Sequence, residues 1–237
     1  MLINPQELSQ NLDRLEEIEK ISLRLVTQAI YDYRITAQEI FHEESDLVAD
    51  IGEDITREAI ERLGMPRIDQ RLFGKVDYKR ACYLFHPDYA LKQALFVDSK
   101  AEKVTGQGTA TLQTSQLSMV VKQIRFNREV EVPGKLPVVL NLKGESYLTT
   151  TLFIKYNYQT QVKTNVLKSI TIAAVPNGML QERYNLTVQD TIWIAGRNAL
   201  TLGEEFRVRL SFSRLKRKAN WRVQKISLDP DEFHWDA

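Results

Sequence analysis

Helical periodicity is concentrated in the first 63 residues of this chain, and strand patterning dominates from about residue 73; no other feature restricts the fold as much. From Pro5 to about Phe41 the apolar residues Leu8, Leu12, Leu15, Ile18, Leu25, Ala29, Ile30 and Tyr33 recur at spacings of three and four, with charged residues between them. That spacing lays one apolar stripe along a long amphipathic helix, broken at most once. A second helix is predicted over Gly52 to Leu63, where Ile51, Ile55, Ala59, Ile60 and Leu63 share a face and Gly64 with Pro66 supplies the stop.

Strands follow. Phe73 to Leu84 and Ala90 to Lys100 are rich in Val, Tyr, Phe and Leu and are separated by His86-Pro87-Asp88-Tyr89, a turn composition, so they predict a β-hairpin. Thr109 to Gln123 has helix-like spacing through Leu112, Gln116, Met119 and Val120. Further strands are expected at Tyr147 to Tyr158, Asn165 to Val175, Glu205 to Ser213 and Trp221 to Leu228. In Glu205 to Ser213, Phe206, Val208, Leu210 and Phe212 alternate with Arg207, Arg209, Ser211 and Ser213, which gives a core face and a cationic face. Helices first, then a hairpin and a mixed sheet, imply an α/β (α+β) class in which helices flank a central mixed β-sheet.

The length of 237 residues suits one core, and no Pro/Gly/Ser-rich linker or repeat divides it, so a single domain over 1–237 is expected. The longest apolar runs, such as Ile170 to Pro176, fall far short of the roughly 20 residues needed to cross a bilayer. With no basic-then-apolar leader and one cysteine, Cys82, the expectation is a cytoplasmic protein with no membrane partner. Three scattered histidines and that lone cysteine disfavour zinc.

The net charge of +1 conceals an uneven distribution. Residues 1–65 carry fifteen acids against six bases, and Phe206 to Lys225 carries eight bases (Arg207, Arg209, Arg214, Lys216, Arg217, Lys218, Arg222, Lys225) and no acid. A charge run is ordinarily a solvated face. Here Phe206, Phe212 and Trp221 interleave with the bases, a pattern that also suits nucleic acid. Trp193 and Trp235 read as packing groups, and Cys82 as a strand residue with no histidine to activate it.

Chemistry enters at Leu95-Phe96-Val97-Asp98-Ser99-Lys100, where an apolar strand ends in an acid and a base two residues apart, on one face by period-two geometry. A carboxylate there can hold Mg²⁺ against a phosphate oxygen while the ammonium orients the attacking water. The second carboxylate such a site needs is available at Asp77, 21 residues earlier on the first strand of the hairpin. Asp-x-Lys is weak by itself, arising by chance roughly once in a chain of this length, and Asp77-Tyr78-Lys79 also matches. Asp98 and Lys100 are assigned to the core strand because Ala94 to Val97 is the more apolar run, which leaves Lys79 in reserve. Glu53, near the start of the second helix, either joins the metal site or is an ordinary first-turn acid favoured by the helix dipole.

Six ordered segments then resemble the SfiI-like type II restriction endonucleases of the PD-(D/E)xK superfamily. They are Glu53 to Thr56, Gly74 to Arg80, Phe96 to Ala101, Thr111 to Leu117, Gln181 to Asn185 and Phe212 to Lys216. The resemblance implies a restriction-endonuclease-like core, Mg²⁺, and cleavage of double-stranded DNA at an interrupted palindrome, with GGCC half-sites and a five-base-pair spacer as the family's pattern. It also implies catalytic Asp77, Asp98 and Lys100, a homo-oligomer that is at least a dimer and in the family a dimer of dimers, and a cognate DNA methyltransferase in the host. Arg214 and Lys216 fall where the family's basic recognition segment would lie, and Arg or Lys bidentate to guanine is the physical reason to expect bases there. Glu102 to Ala110 departs from the family pattern, offering Lys103, Gln107 and threonines where an arginine is expected.

The expected mechanism has Asp77, Asp98 and the Ser99 carbonyl holding Mg²⁺ while Lys100 positions a water for in-line attack, leaving a 5′-phosphate. DNA contacts are expected from Lys103, Arg207, Arg209, Arg214, Lys216 and Lys218. The competing readings are a repair- or structure-directed nuclease on the same core, and a DNA-binding regulator whose acids are only structural.

Overall fold

The computed structural model describes residues 3–44, 48–64, 81–86, 91–106, 108–161, 164–195 and 207–237. Asn11 caps α1 (Leu12–Asp32), its side chain accepting the Arg14 N–H at 3.1 Å. The expected long helix is interrupted twice: Pro5–Gln10 forms a 3-10 helix that ends at Asn11, and at Tyr33 the chain breaks again and restarts as α2 (Arg34–Glu43). α3 (Val48–Glu61) follows, with Ile51, Ile55, Ala59 and Ile60 buried as their spacing predicts.

β1 (Ala81–His86) pairs antiparallel with β2 (Leu91–Lys103), Ala81 facing Phe96 and His86 facing Leu91. This is the expected hairpin over its described part. β3 (Thr109–Gln113) and a 3-10 turn over Thr114–Gln116 come next, then β4 (Val121–Arg125), which hairpins with β5 (Arg128–Val132). The segment with helix-like spacing is therefore not a helix. Its threonines disfavour one, Ala110 and Leu112 are buried at period two, and pairing with a strand a hundred residues later overrides the local pattern.

β6 (Val139–Leu142) turns into the long β7 (Glu145–Gln161), which hairpins into β8 (Thr164–Val175). α4 (Gln181–Tyr184), β9 (Trp193–Ile194) and β10 (Arg207–Ser211) lead to α5 (Phe212–Lys218), β11 (Val223–Leu228) and β12 (Asp231–Glu232). Phe212 and Ser213 thus belong to a helix instead of the expected strand end. The Ser211 hydroxyl accepts the Arg214 N–H at 3.4 Å and turns the chain from extended to helical.

The main sheet runs β1-β2-β7-β8-β11-β12, with β6 on the opening residues of β7. It is mixed: β2 and β7 are parallel and the other pairings are antiparallel. One face packs Leu95, Val97, Leu152, Ile154, Tyr156, Ile170 and Ile172 against the three long helices. The opposite face packs Phe153, Ala173, Val175 and Val223 with Leu112, Val208, Leu210 and Trp193 of a second sheet, ordered β3-β10-β9. The central sheet flanked by helices is the expected class, with a smaller second sheet added. No helix among the described residues is long and apolar enough to cross a membrane.

Candidate active site

Alternation along β2 sends Leu95, Val97, Ser99 and Ala101 toward the helices and leaves Asp98, Lys100 and Glu102 on the other face. α3 supports this end of the strand through Gly52: a Cβ there would meet Tyr156 Cδ2 at 3.1 Å and the Ala101 nitrogen at 3.3 Å, so the helix backbone lies directly on β2. Glu53, half-buried, is the next residue. It is the sixth residue of α3, past the first turn, so the dipole explanation for an acid at this position weakens.

The Asp98 side chain retains 13% exposure and that of Lys100 36%, and Lys100 Nζ lies 3.9 Å from Asp98 Oδ2. That distance is an ion pair without a direct hydrogen bond. Instead the ammonium donates to the Thr111 carbonyl of β3 at 2.6 Å and sits 5.8 Å from the Phe153 ring centroid. An ammonium held beside a largely desolvated carboxylate, over an aromatic wall, can receive an anionic oxygen placed between them.

A largely dehydrated carboxylate and the backbone carbonyl of neighbouring Ser99 are hard oxygen donors, the chemistry a divalent cation such as Mg²⁺ requires. They fit it as part of a ligand set. Among the described residues no three Asp, Glu, His or Cys side chains converge to complete that set. Asp77, the expected second carboxylate, and Lys79 lie outside the described residues. β1 begins at Ala81 opposite Phe96, so its start is the end of the hairpin nearer Asp98.

One constellation here escaped the sequence reading. Lys155 is wholly buried on the same face, paired in register with Lys100, and its ammonium contacts Glu102 at 2.6 Å and the Thr109 carbonyl at 2.7 Å. Burial lowers its pKa below the usual lysine value, and Glu102 partly offsets that. The available signal was a lysine inside the apolar run Leu152-Phe153-Ile154-Lys155-Tyr156.

The bases expected to meet DNA have separate fates. Lys103 ends β2 exposed, on the strand parity opposite to Asp98 and Lys100. Arg207 opens β10 opposite Gln113, while Arg209 is half-buried and near enough to Lys155 to contribute to its lowered pKa. On α5, Arg214 Nη1 donates to the Trp193 carbonyl at 2.8 Å, Lys216 pairs with Asp236, and Lys218 pairs with Asp190. Arg214, Arg217 and Lys218 line an open cleft with Gln189, Asp190 and Thr191. Arg222 is not on this surface at all: it is fully buried and pairs with Glu19 of α1 at 2.7 Å.

The helix-flanked mixed sheet carries the restriction-endonuclease fold, and the matches to known proteins define the class, a site-specific deoxyribonuclease. The sequence model of the family described as "Type II restriction enzyme SfiI" matches residues 29–226. The curated type II restriction enzyme SfiI of Streptomyces fimbriatus is 34% identical over 242 residues, spanning 95% of this chain and 88% of that protein. Among solved structures, the tetrameric restriction endonuclease SfiI bound to cognate DNA superposes with a TM-score of 0.81 at 32% identity, covering 98% of this chain and 90% of that one. The restriction endonuclease BglI bound to its DNA recognition sequence superposes at 0.76 with 19% identity, covering 95% and 94%, a likeness of fold.

The chain belongs to the SfiI family of type II restriction enzymes. That membership sets aside both the regulator and the repair-nuclease readings.

Proposed function

We propose that this protein hydrolyses double-stranded DNA at a specific interrupted palindrome, using Mg²⁺ held by Asp77, Asp98 and the Ser99 carbonyl, with Lys100 acting on the attacking water. The observation that carries the reading is the Lys100 ammonium, fixed 2.6 Å from the Thr111 carbonyl and 3.9 Å from Asp98 on one face of β2. Bound there, the metal would neutralise charge at the scissile phosphate and make a nearby water more acidic. Lys100 orients that water for in-line attack on phosphorus. The bond to the 3′ oxygen breaks, leaving a 3′-hydroxyl and a 5′-phosphate. Glu53, the residue after the Gly52 that packs on the Lys100–Ala101 backbone, is assigned to the metal's water shell.

Readout is assigned to Arg214 and Lys216 of α5, whose fork and ammonium suit guanine O6 and N7 in the major groove, with Arg207, Arg209, Lys218 and Lys103 as phosphate contacts. One active site per chain and two strands to cut call for at least a two-fold dimer, because a palindrome mirrors the symmetry of the protein. The tetrameric state of the SfiI relative bound to DNA supports a dimer of dimers. GGCC half-sites with a five-base-pair spacer are the target to try first. We place the enzyme in the cytoplasm, working as one unit over 1–237 beside a cognate methyltransferase that protects the host's sites.

The test is cleavage of a sequenced phage genome with Mg²⁺, with the ends mapped, by the wild type and Lys100→Ala. Discrete fragments with 5′-phosphates are expected from the wild type. The variant should bind in Ca²⁺ with unchanged affinity and cut at least 1,000-fold more slowly, on the order of what a catalytic group contributes. Full nicking by Lys100→Ala would end the assignment.

A further inference from the structure

We propose that Lys155 is a positioning residue for DNA cleavage: its ammonium, buried between Glu102 and the Thr109 carbonyl, clamps β3 to the central sheet and thereby fixes the Thr111 carbonyl that holds Lys100. The inference rests on Lys100 being the catalytic lysine.

Taking a lysine wholly out of water is costly, and a buried ion pair seldom stabilises a fold more than apolar residues of the same volume would. Stability alone is thus a poor reason for Lys155 to be there. Its surroundings make the cost higher still, because Lys100 and Arg209 add positive charge that works against the favourable pairing with Glu102. What the arrangement does accomplish is geometric. Lys100 and Lys155 are register partners on the parallel strands β2 and β7, and each spends its ammonium on a carbonyl of β3, at Thr111 and Thr109.

β3 is the edge strand of the second sheet, and its ladder runs to β10, with Thr109 opposite Ser211 and Thr111 opposite Arg209. That ladder holds β3 as a strand, and the apolar packing of Ala110 and Leu112 seats it on the central sheet. The two lysines add polar ties across the same gap, and Lys100 is the one assigned to the attacking water. Without Lys155 one of the two ties is lost, and β3 can shift slightly against β2 and carry the Thr111 carbonyl and the Lys100 ammonium with it. A displacement on the order of 1 Å at a reacting group can cost about 100-fold in rate.

Lys155→Met keeps the length and bulk of the side chain and removes its charge. In single-turnover cleavage with Mg²⁺ the rate constant should fall roughly 10- to 100-fold, while the Kd for the same DNA in Ca²⁺ stays within about threefold because β3 and β10 remain paired. Lys155→Arg, which keeps a buried donor, should recover part of the rate. The double variant Lys155→Met with Glu102→Gln removes the orphaned carboxylate charge as well. It should regain thermal stability without regaining the rate, and it decides the matter if Lys155→Met alone does not fold. Wild-type cleavage by Lys155→Met, or recovery of rate together with stability in the double variant, overturns the proposal. The parallel Lys100→Ala control separates the two readings: full activity there removes the catalytic assignment itself, whereas an inactive Lys100→Ala beside a fully active Lys155→Met removes the clamp alone.

Discussion

Arg222 belongs by sequence to the basic run that looks made for DNA, and by structure to the core, so replacing it separates the two roles. Its guanidinium is fully buried, donating to Glu19 at 2.7 Å and to Glu16 at 3.2 Å, with the rings of Tyr184 and Trp221 each 4.3 Å from its centre. Glu19 is buried too and accepts the Asn177 N–H at 2.9 Å, so its carboxylate is cut off from bulk solvent. Arg222→Met therefore strands a carboxylate in the core, a loss of about 3–5 kcal/mol. For a chain of this size that is a drop in Tm of about 6–20 °C.

Urea melts followed by circular dichroism measure the loss, and the companion variant Arg222→Met with Glu19→Gln should recover most of it, since the amide keeps an acceptor for Asn177 and sheds the charge. DNA binding against salt supplies the second readout. A phosphate contact removed would flatten the log–log slope by about one unit, whereas a core arginine leaves it unchanged. A stability loss under about 1 kcal/mol, or a slope reduced by one in the folded variant, would refute the assignment of Arg222 to the core.

Gly52→Ala should lower stability by about 1–3 kcal/mol and slow cleavage more than it weakens binding, because its new methyl would press on the Ala101 nitrogen and Tyr156. Wild-type melting and rate would show that α3 does not lie on β2 as described. The Glu16 carboxyl is raised by partial burial, but the Tyr184 hydroxyl and the Arg222 and Arg183 guanidiniums outweigh this and hold it below its ordinary 4.5. A carboxylate with a depressed folded pKa stabilises above its unfolded value and loses that contribution as pH falls through the folded one. Glu16→Gln should accordingly be less stable than wild type above about pH 4.5 and converge with it in more acidic buffer; a deficit independent of pH contradicts the pairing. Lys216→Ala should relax discrimination at one guanine position by about 1–3 kcal/mol with little change in binding to random DNA. Equal losses on cognate and random duplexes would make it a phosphate contact instead.

The legible parts of this molecule are those whose cause is local. Three- and four-residue spacing marked α1 and α2 and their break, and Ile51, Ile55, Ala59 and Ile60 marked α3. Continuous apolar runs marked β7 and β8. The apolar residues of Thr109 to Gln123 fit a helix about as well as a strand, and pairing with β10, remote in sequence, breaks the tie. The strand expected through Ser213 stopped at Ser211, where a serine N-cap of the ordinary kind was available to be noticed.

Within the candidate site, the two-residue spacing of Asp98 and Lys100 was enough to place both on one face of β2, since alternation is a property of any extended backbone. Family membership was equally readable in the order of short segments along the chain. Spacing could not say which charges would find partners. Eight bases in one run look alike on paper, yet Arg222 joins Glu19 across 203 residues, Lys216 and Lys218 meet Asp236 and Asp190, and Arg209 lies beside Lys155. The clamp of Lys155 on Glu102 and Thr109 likewise exists only once β2, β7 and β3 are assembled. Periodicity is written residue by residue by backbone geometry, whereas the partner and the burial of a charge depend on which distant strands the folded sheet makes neighbours.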